Sequence, residues 1–432
     1  MRVALYTLGC KVNSYETEQI REAFIAQGDR IVPFTEPADV YIVNTCTVTQ
    51  MAAKKSRQIL HRARRLRPEA LIIAAGCYAE HDAGELPEGM VDLFVSNKDK
   101  LRIPEIALQQ MRGRVPVQSA SKQEENVQSH TRGFLKVQDG CRQFCTYCII
   151  PYVRGPLVSR DPEKICAEAQ RLAQSGCREI VLTGIHLSSY GREGTLENPE
   201  AGCSLPQLIR RLSEIREIDR IRLGSLEPGI ITQQYVQEVR GISKLCPHYH
   251  LSLQSGCART LKAMNRHYTP EEYLCSLARL REEWPDVAVT TDLIVGFPGE
   301  TDKDFEESMD FLKKAGFAQV HVFKYSRREG TVAAGRPDQV PEEVKSQRSE
   351  QAIELAERLS LQFARRFTGT VREVLLEKRN EEGWEGYTDH YVRTIVRLPE
   401  ENSDLKENQM VRVLLQEAVL HGGEIYLTGV IA

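Results

Sequence analysis

Short runs of aliphatic and β-branched residues alternate with amphipathic stretches through the first 115 residues. Val3-Ala-Leu-Tyr-Thr7, Val40-Tyr-Ile-Val-Asn44 and Leu71-Ile-Ile-Ala-Ala75 read as buried strands, with Leu93-Phe-Val95 as a shorter fourth. Helical periodicity fills 16–26 and 52–66, and strands alternating with helices predict a doubly wound parallel sheet. A polar stretch at 119–130 has no apolar period and reads as a linker. Six further strand-like runs follow at 134–137, 179–183, 220–225, 249–253, 288–295 and 319–325. Helical patterns at 163–174, 205–215, 271–283 and 304–314 separate them, several opened by caps at Asp161-Pro162, Thr269-Pro270 and Thr301-Asp302. Six such units predict a partial, open (β/α)6 barrel, with its active residues at the strand carboxyl ends. An amphipathic helix at 341–367 leads into alternating β patterns at 370–378, 387–397, 410–415 and 425–430. Turn signals at Glu382-Gly383, Asn402-Ser403 and Gly422-Gly423 predict a small antiparallel β-barrel. The expected fold class is therefore α/β, with domains at 1–118 and 131–340, a connecting helix at 341–367 and a barrel at 368–432.

A chain of 432 residues with 41% hydrophobic and 27% charged residues matches a globular protein of two or three domains. The formal net charge of -3 gives no global attraction to nucleic acid, so any RNA site must be a local patch. The segment MRVALYTLGC lacks a signal-peptide pattern, and no apolar run approaches a membrane span. A reducing cytoplasm is therefore expected, where the 12 cysteines read as metal ligands rather than disulfides.

Cysteine spacing changes the picture most. Cys141, Cys145 and Cys148 form a CxxxCxxC loop directly after a predicted strand. Three thiolates on one loop suit a 4Fe-4S cluster with one open iron; a structural zinc site wants a fourth ligand, usually as paired CxxC motifs. Cys10, Cys46 and Cys77 each follow one of the three main N-terminal strands by one to a few residues. In an open α/β sheet the ligand crevice lies beyond the strand carboxyl ends, so these thiols should converge on a second three-cysteine site. The alternative is three buried cysteines in ordinary turns.

These motifs resemble the radical S-adenosylmethionine (SAM) methylthiotransferases over essentially the whole chain. The resemblance rests on TLGCKVNSYETE, VNTCTVT, AAGCYAE, the CxxxCxxC loop with Tyr147 before its last cysteine, HLSLQSGCARTLKAMNRHYT and DLIVGFPGETDKDF. It implies two 4Fe-4S clusters, on Cys141, Cys145 and Cys148 and on Cys10, Cys46 and Cys77, with SAM as cosubstrate. The first would cleave SAM to a radical, and the open iron of the second would carry the incoming sulfur. It also implies a terminal RNA-binding TRAM domain and an electron donor such as flavodoxin or ferredoxin. TLGCKVN, LTGIHLSSYG and NRHYT look most like the branch acting on N6-threonylcarbamoyladenosine beside the tRNA anticodon. Sister branches act on N6-isopentenyladenosine in tRNA or on an aspartate of a ribosomal protein.

The resemblance places a SAM contact at Tyr147; at the strand ends Gly184, Ser225, Glu227, Gln254 and Gly296, with Thr183, Ser255, Pro298 and Gly299 beside them, read either as further SAM contacts or as ordinary βα turns. Many relatives carry GGEP where this chain reads LTGIH, so one glycine of that motif remains. Basic residues crowd 54–67 (Lys54, Lys55, Arg57, His61, Arg62, Arg64, Arg65 and Arg67), read either as phosphate contacts or as a solvated face. Near the terminal strands Arg365, Arg366, Arg372, Lys378, Arg379, Arg393 and Arg397 accompany Tyr387 and Tyr391, a combination suited to single-stranded RNA. Cys166 and Cys275 fall on apolar helical positions and are expected in the core. Cys177, Cys203, Cys246 and Cys257 share no spacing, and His186, His267 and His321 are expected in local hydrogen bonds. The competing class is an RNA-binding protein whose cluster is structural or redox-sensing.

Overall fold

Parallel strands need helical crossovers, and the first 112 residues supply them. The elements are β1 (Arg2–Thr7), α1 (Lys11–Ala26), β2 (Arg30–Ile31), β3 (Val40–Thr45), α2 (Gln50–Leu66), β4 (Leu71–Gly76), α3 (Cys77–His81), β5 (Leu93–Val95) and α4 (Ile103–Met111). This computed structural model describes residues 1–112, 131–192, 202–397 and 405–432. The expected linker at 119–130 and the Asn402-Ser403 turn lie outside the described residues. By contacts the chain divides into two units: Met1–Gln128 with Asp139–Leu157 and Ser326–Gly335, and Ser129–Gln138 with Val158–Tyr325 and Arg336–Ala432.

The first unit holds a parallel sheet in the order β2-β1-β3-β4-β5. Alternation along β3 sends Val40 and Ile42 toward Ile20 and Phe24 of α1 and Ile103 of α4. Tyr41 and Val43 face Leu60 and Ala63 of α2 on the other side. The sheet is therefore doubly wound, and its strand order reverses between β1 and β3, where such sheets bind ligands. Helices α1 and α2 start earlier than the apolar period predicts. Cys10 is the N-cap of α1, and the Thr49 side chain caps α2 by accepting from the Ala52 N–H. The short helix α5 (Ile150–Arg154) also belongs to this unit.

The second unit opens with β6 (Arg132–Asp139), β7 (Val158–Ser159), α6 (Pro162–Gln174), β8 (Glu179–Gly184), α7 (Leu205–Ser213), β9 (Arg220–Leu223) and β10 (Ser225–Leu226). It continues through α8 (Gln233–Val239), β11 (His248–Leu251), α9 (Ala258–Ala263), α10 (Pro270–Glu283), β12 (Ala288–Val295), α11 (Asp302–Ala315) and β13 (Gln319–Lys324). Two four-stranded sheets, β7-β6-β8-β9 and β10-β11-β12-β13, meet at a parallel bridge between Ile221 and Leu245. The expected six-unit barrel is thus present and open; the run predicted at 220–225 breaks at Gly224 into β9 and β10. The predicted caps form: Asp161 accepts from the N–H groups of Glu163 and Lys164, and Thr269 and Thr301 make capping boxes with Glu272 and Asp304.

Helix α12 (Glu342–Arg365) precedes β14 (Val371–Asn380), β15 (Gly383–Thr388), β16 (Arg393–Arg397), β17 (Met410–His421) and β18 (Glu424–Ile431). These strands close a barrel in the order β14-β15-β16-β18-β17. Its pairs are antiparallel except β16 with β18, which run parallel. The single strand expected at 387–397 is two strands. A turn through Thr388 and Tyr391, with Tyr391 at φ 62°, interrupts the alternation. Phe363 and Phe367 close one end of the barrel core against Val374, Leu376 and Trp384. Among the described residues no helix is long and apolar enough to cross a membrane.

Strands β6 to β13 bury one set of alternate side chains against helices: Leu135, Ile180, Ile221, Tyr249, Val289 and Val320. The other set is polar. Glu179 is buried and takes the Arg222 guanidinium at 2.7 Å, with Arg220 at 3.8 Å. The turn after β15 covers this pair. Arg222 donates to the Asp389 and Thr388 carbonyls, and Arg220 to those of Tyr387 and Glu373. Burial alone would raise the Glu179 carboxyl, but Arg222, Arg220 and Arg132 together hold it below its ordinary value. A depressed carboxyl contributes stability at neutral pH and loses it as pH falls through the folded value. Thermal unfolding followed across pH should therefore show a midpoint that falls below about pH 4. Glu179→Gln should flatten that fall and lower the neutral-pH stability by about 3–5 kcal/mol, because it leaves buried cations unpaired.

Candidate active site

Cys10, Cys46 and Cys77 lie just past the carboxyl ends of β1, β3 and β4. The sequence folds the turns together through short polar side chains. Asn13 donates to the carbonyls of Leu8 at 2.7 Å and Thr45 at 3.1 Å, clamping the turn after β1 to the end of β3. Thr45 Oγ1 donates to the Ala75 carbonyl at 2.5 Å and accepts from the Ala79 N–H at 3.2 Å, which fixes the start of α3. Ser56 of α2 accepts from the Cys46 N–H and donates to its carbonyl. Gly76 has φ 95°, and a Cβ there would sit 2.3 Å from the Thr45 carbonyl oxygen, so a larger residue would displace Cys77. The three thiols lie close enough to act on one another electrostatically. Burial, with the neighbouring thiols, pushes the Cys46 thiol up to about 11. Burial likewise raises the Cys77 thiol, against the pull of Arg154 and Lys100.

A buried ion network lies beside Cys77. Glu16 of α1 pairs with Lys100 at 2.7 Å and with Arg154 of α5 at 2.7 Å; all three side chains are less than 5% exposed. Arg154 also donates to the Asn13 side-chain oxygen. Its Nε is buried and has no hydrogen-bond partner among the described residues. Two cations against one carboxylate leave positive charge beside the thiols, and Asp139 reaches Arg154 only at 3.4 Å. None of Glu16, Lys100 or Arg154 is visible as a partner in the sequence, because they lie 84 and 138 positions apart. The only local signal is a charged residue inside an apolar helical stripe at Glu16.

Cys141, Cys145 and Cys148 sit on the loop that ends in α5, inside the same unit. The Cys141 N–H donates to the Gly155 carbonyl at 3.2 Å, and the Cys148 N–H to the Cys145 carbonyl at 3.0 Å, so the loop is closed on itself. Cys145 is buried, whereas Cys141, Cys148 and Tyr147 are half-buried. Phe144 adopts φ 46°, a sparsely populated conformation for a side chain of that size. Ile149 and Val153 of this segment pack directly on Cys77. A further clamp escaped sequence reading: Arg328 reaches both Thr47 and Asp82, and Asp82 holds His81 Nδ1 at 2.6 Å. It joins the turn after Cys46 to the end of α3.

In the second unit the predicted strand-end residues divide. Glu227 is half-buried and pairs with Arg266 at 2.9 Å and His186 at 3.4 Å. Burial opposes its charge, but His186 and Arg266 hold its carboxyl below the ordinary value. Gln254 has φ 68°, and its backbone bonds to β12 at Asp292 and Ile294. Ser225 is exposed. Gly184 packs against Gln138, Gly296 against Lys345, and the Ser255 hydroxyl bonds to Ser308, so each has a role in the fold itself. His250, which sequence reading missed, contacts Thr290 at 2.9 Å and Asp292 at 3.3 Å, with the His321 ring tilted against it at 5.9 Å. The signal was present as polar residues at every second position of otherwise buried strands.

The aromatics expected to meet RNA also have partners within the fold. Tyr387 and Tyr391 stack on each other at 4.9 Å, Arg132 lies over both, and Arg222 lies over Tyr391. Arg393 pairs with Glu385, and Arg366 and Arg372 pair with Asp286. Arg365, Lys378, Arg379 and Arg397 remain exposed. Cys275 is exposed rather than in the core, because α10 buries Tyr273, Ser276, Leu277 and Leu280 on another face. Cys166 is half-buried at the core margin. Cys257 donates to Asp304, whose charge Arg259 already neutralises. His186 makes the expected local bond, to Ser189 at 2.6 Å.

Replacing Arg154 with Met removes one of two counter-charges to buried Glu16. Urea unfolding of that variant should show a loss of about 3–5 kcal/mol. Arg154→Lys should recover only part, because a point ammonium does not span Glu16 and Asn13 together.

Residues 135–312 match the model of the radical SAM superfamily, and residues 2–96 match a family described as uncharacterized protein family UPF0004. The threonylcarbamoyladenosine tRNA methylthiotransferase MtaB of Bacillus subtilis is 38% identical, over 97% of this chain and 98% of its own. The tRNA-2-methylthio-N(6)-dimethylallyladenosine synthase of Caldicellulosiruptor saccharolyticus is 35% identical over 87% of this chain and 83% of its own. The radical SAM methyltransferase TsrM of Kitasatospora setae shares the fold, with a TM-score of 0.57 at 14% identity over 77% of each chain. Radical SAM enzymes take a 4Fe-4S cluster and SAM. By its full-length identity, and with its two cysteine sets at the ends of a doubly wound sheet and on the CxxxCxxC loop, the chain belongs to the radical SAM methylthiotransferase family.

Proposed function

We propose that this protein places a methylthio group on carbon 2 of N6-threonylcarbamoyladenosine, just 3′ of the tRNA anticodon. The observation that carries this reading is the match along nearly all of both chains to the Bacillus subtilis relative. Carbon 2 of adenine has an unactivated C–H bond that no side-chain acid or base removes usefully, so the chemistry needs a cofactor. Cys141, Cys145 and Cys148 would hold the 4Fe-4S cluster at which SAM binds, and Cys10, Cys46 and Cys77 would hold a second one for the sulfur chemistry. When bound, the two clusters and SAM supply the electron, the radical and the methylthio group.

The residues present fit such a second group. Three thiols lie past the ends of three neighbouring strands, and the buried Arg154 Nε–H has no acceptor among the described residues. A cluster sulfide would accept it. Thiolate ligands bring negative charge into a buried place, and the excess cation of the Glu16, Lys100 and Arg154 network offsets it. Asn13, Thr45 and Ser56 hold the three turns still. SAM would be oriented by Tyr147, Gly184, Ser225, Glu227, Gln254 and Gly296. The working domains are 1–118, the radical SAM domain 131–340, the helix 341–367 and a TRAM-like barrel 368–432. The partners are the tRNA anticodon stem-loop and a flavodoxin or ferredoxin, in the cytoplasm.

Iron analysis separates the two sites. Replacing Cys10, Cys46 and Cys77 with Ala should lower iron from about eight to about four per chain and leave reductive SAM cleavage in place. Replacing Cys141, Cys145 and Cys148 should abolish that cleavage.

The substrate is tested by mass spectrometry of methylthio-nucleosides in total tRNA from cells with and without the gene. Loss of 2-methylthio-N6-threonylcarbamoyladenosine alone is expected. Loss of the isopentenyl analogue instead would move the protein to the sister branch. No change in either would favour a protein substrate.

A further inference from the structure

Helix α2 carries Lys54, Lys55, Arg57, Arg62, Arg64 and Arg65 and no aspartate or glutamate. The fold sorts the cations of this segment. Arg57 pairs with Glu85 at 2.7 Å, Arg64 with Asp92 at 2.8 Å, and Arg67 beyond the helix with Asp39 at 2.6 Å. Lys54, Lys55, Arg62 and Arg65 are exposed and make no ion pair or side-chain hydrogen bond among the described residues. At helical spacing these four share the face opposite the buried stripe of Ala53, Ser56, Leu60 and Ala63. They span about 16 Å of helix axis.

Helix formation does not account for this face. Like charges at such spacing repel, and the dipole disfavours Lys54 and Lys55 in the N-terminal half. The helix begins immediately after its Thr49 cap, three residues beyond Cys46. A polyanion lying on this face would therefore lead to the turn that bears Cys46, one of the three strand-end cysteines.

We propose that this face of α2 binds the phosphate backbone of the RNA being modified, a reading that rests on the tRNA function above. The competing occupant is an acidic electron-donor protein. Protein docking faces deplete charge at their centre and place apolar anchors there. Here the cations occupy the centre, and the exposed Met51 lies at one end.

The test compares the holoenzyme with its K54Q/K55Q/R62Q/R65Q variant. Fluorescence anisotropy with a labelled anticodon stem-loop is read across roughly 50–200 mM salt. The variant should bind roughly 10- to 100-fold more weakly at low salt, with the slope of log affinity against log salt smaller by about three. Its dithionite-driven SAM cleavage without RNA should be unchanged, which shows that the fold and the radical site survive. Equal affinity and slope would overturn the proposal. So would unchanged RNA binding with slower reduction by flavodoxin than by dithionite, which assigns the face to the donor. A parent enzyme that forms no methylthio product on tRNA would instead sink the functional reading and this proposal with it.

Discussion

The pairing of Glu16 with both Lys100 and Arg154 is the interaction on which the site depends. It draws together helix α1, the segment before α4 and the helix that ends the CxxxCxxC loop. Burying three charged groups is costly unless each is paired, so the network is stable in one arrangement and poor in any that moves α5. Because Arg154 also bonds to Asn13, which clamps the turn after β1 to the end of β3, that arrangement bears on where the cysteine turns lie. The turns that bear Cys10, Cys46 and Cys77 are thus held by ions and short polar side chains, while the apolar core lies on both faces of the sheet.

The second unit uses the same device at larger scale. Its strands give one set of alternate side chains to an apolar helix layer and the other to a polar face of Glu179, Arg220, Arg222, His250, Thr290 and Asp292. The turn after β15 supplies backbone carbonyls to Arg220 and Arg222, so the small C-terminal barrel completes the hydrogen bonding of the central strands. Tyr387 and Tyr391, expected to stack on RNA bases, are engaged with arginines of these strands. An aromatic flanked by cations has the same composition whether it meets a base or a guanidinium.

The fate of the basic residues follows from a similar sorting. Surface arginines with a carboxylate within reach add little to binding, since their charge is already matched. Arg57, Arg64, Arg366, Arg372 and Arg393 are matched in this way, whereas the outward face of α2 is not. Net charge near zero for the whole chain is compatible with one strongly positive helix face, because acids elsewhere balance it.

Periodicity alone determined the doubly wound sheet, the six central units and their order, since each strand buries one or both faces and each helix one stripe. Cysteine spacing and placement singled out the two sets of thiols, because three thiolates on one loop suit a cluster with an open iron and an α/β sheet gathers its strand-end residues on one edge. Boundaries were less legible where a cap or a turn decides: α1 follows Cys10 and α2 follows the Thr49 side-chain cap, both before the apolar stripe begins, and Tyr391 interrupts a run that alternates like one strand. Only the tertiary structure decided which charges are paired. Glu16 meets Arg154 across 138 residues and Arg222 meets the turn after β15 across 167, and ion pairing between distant segments leaves no local period to read.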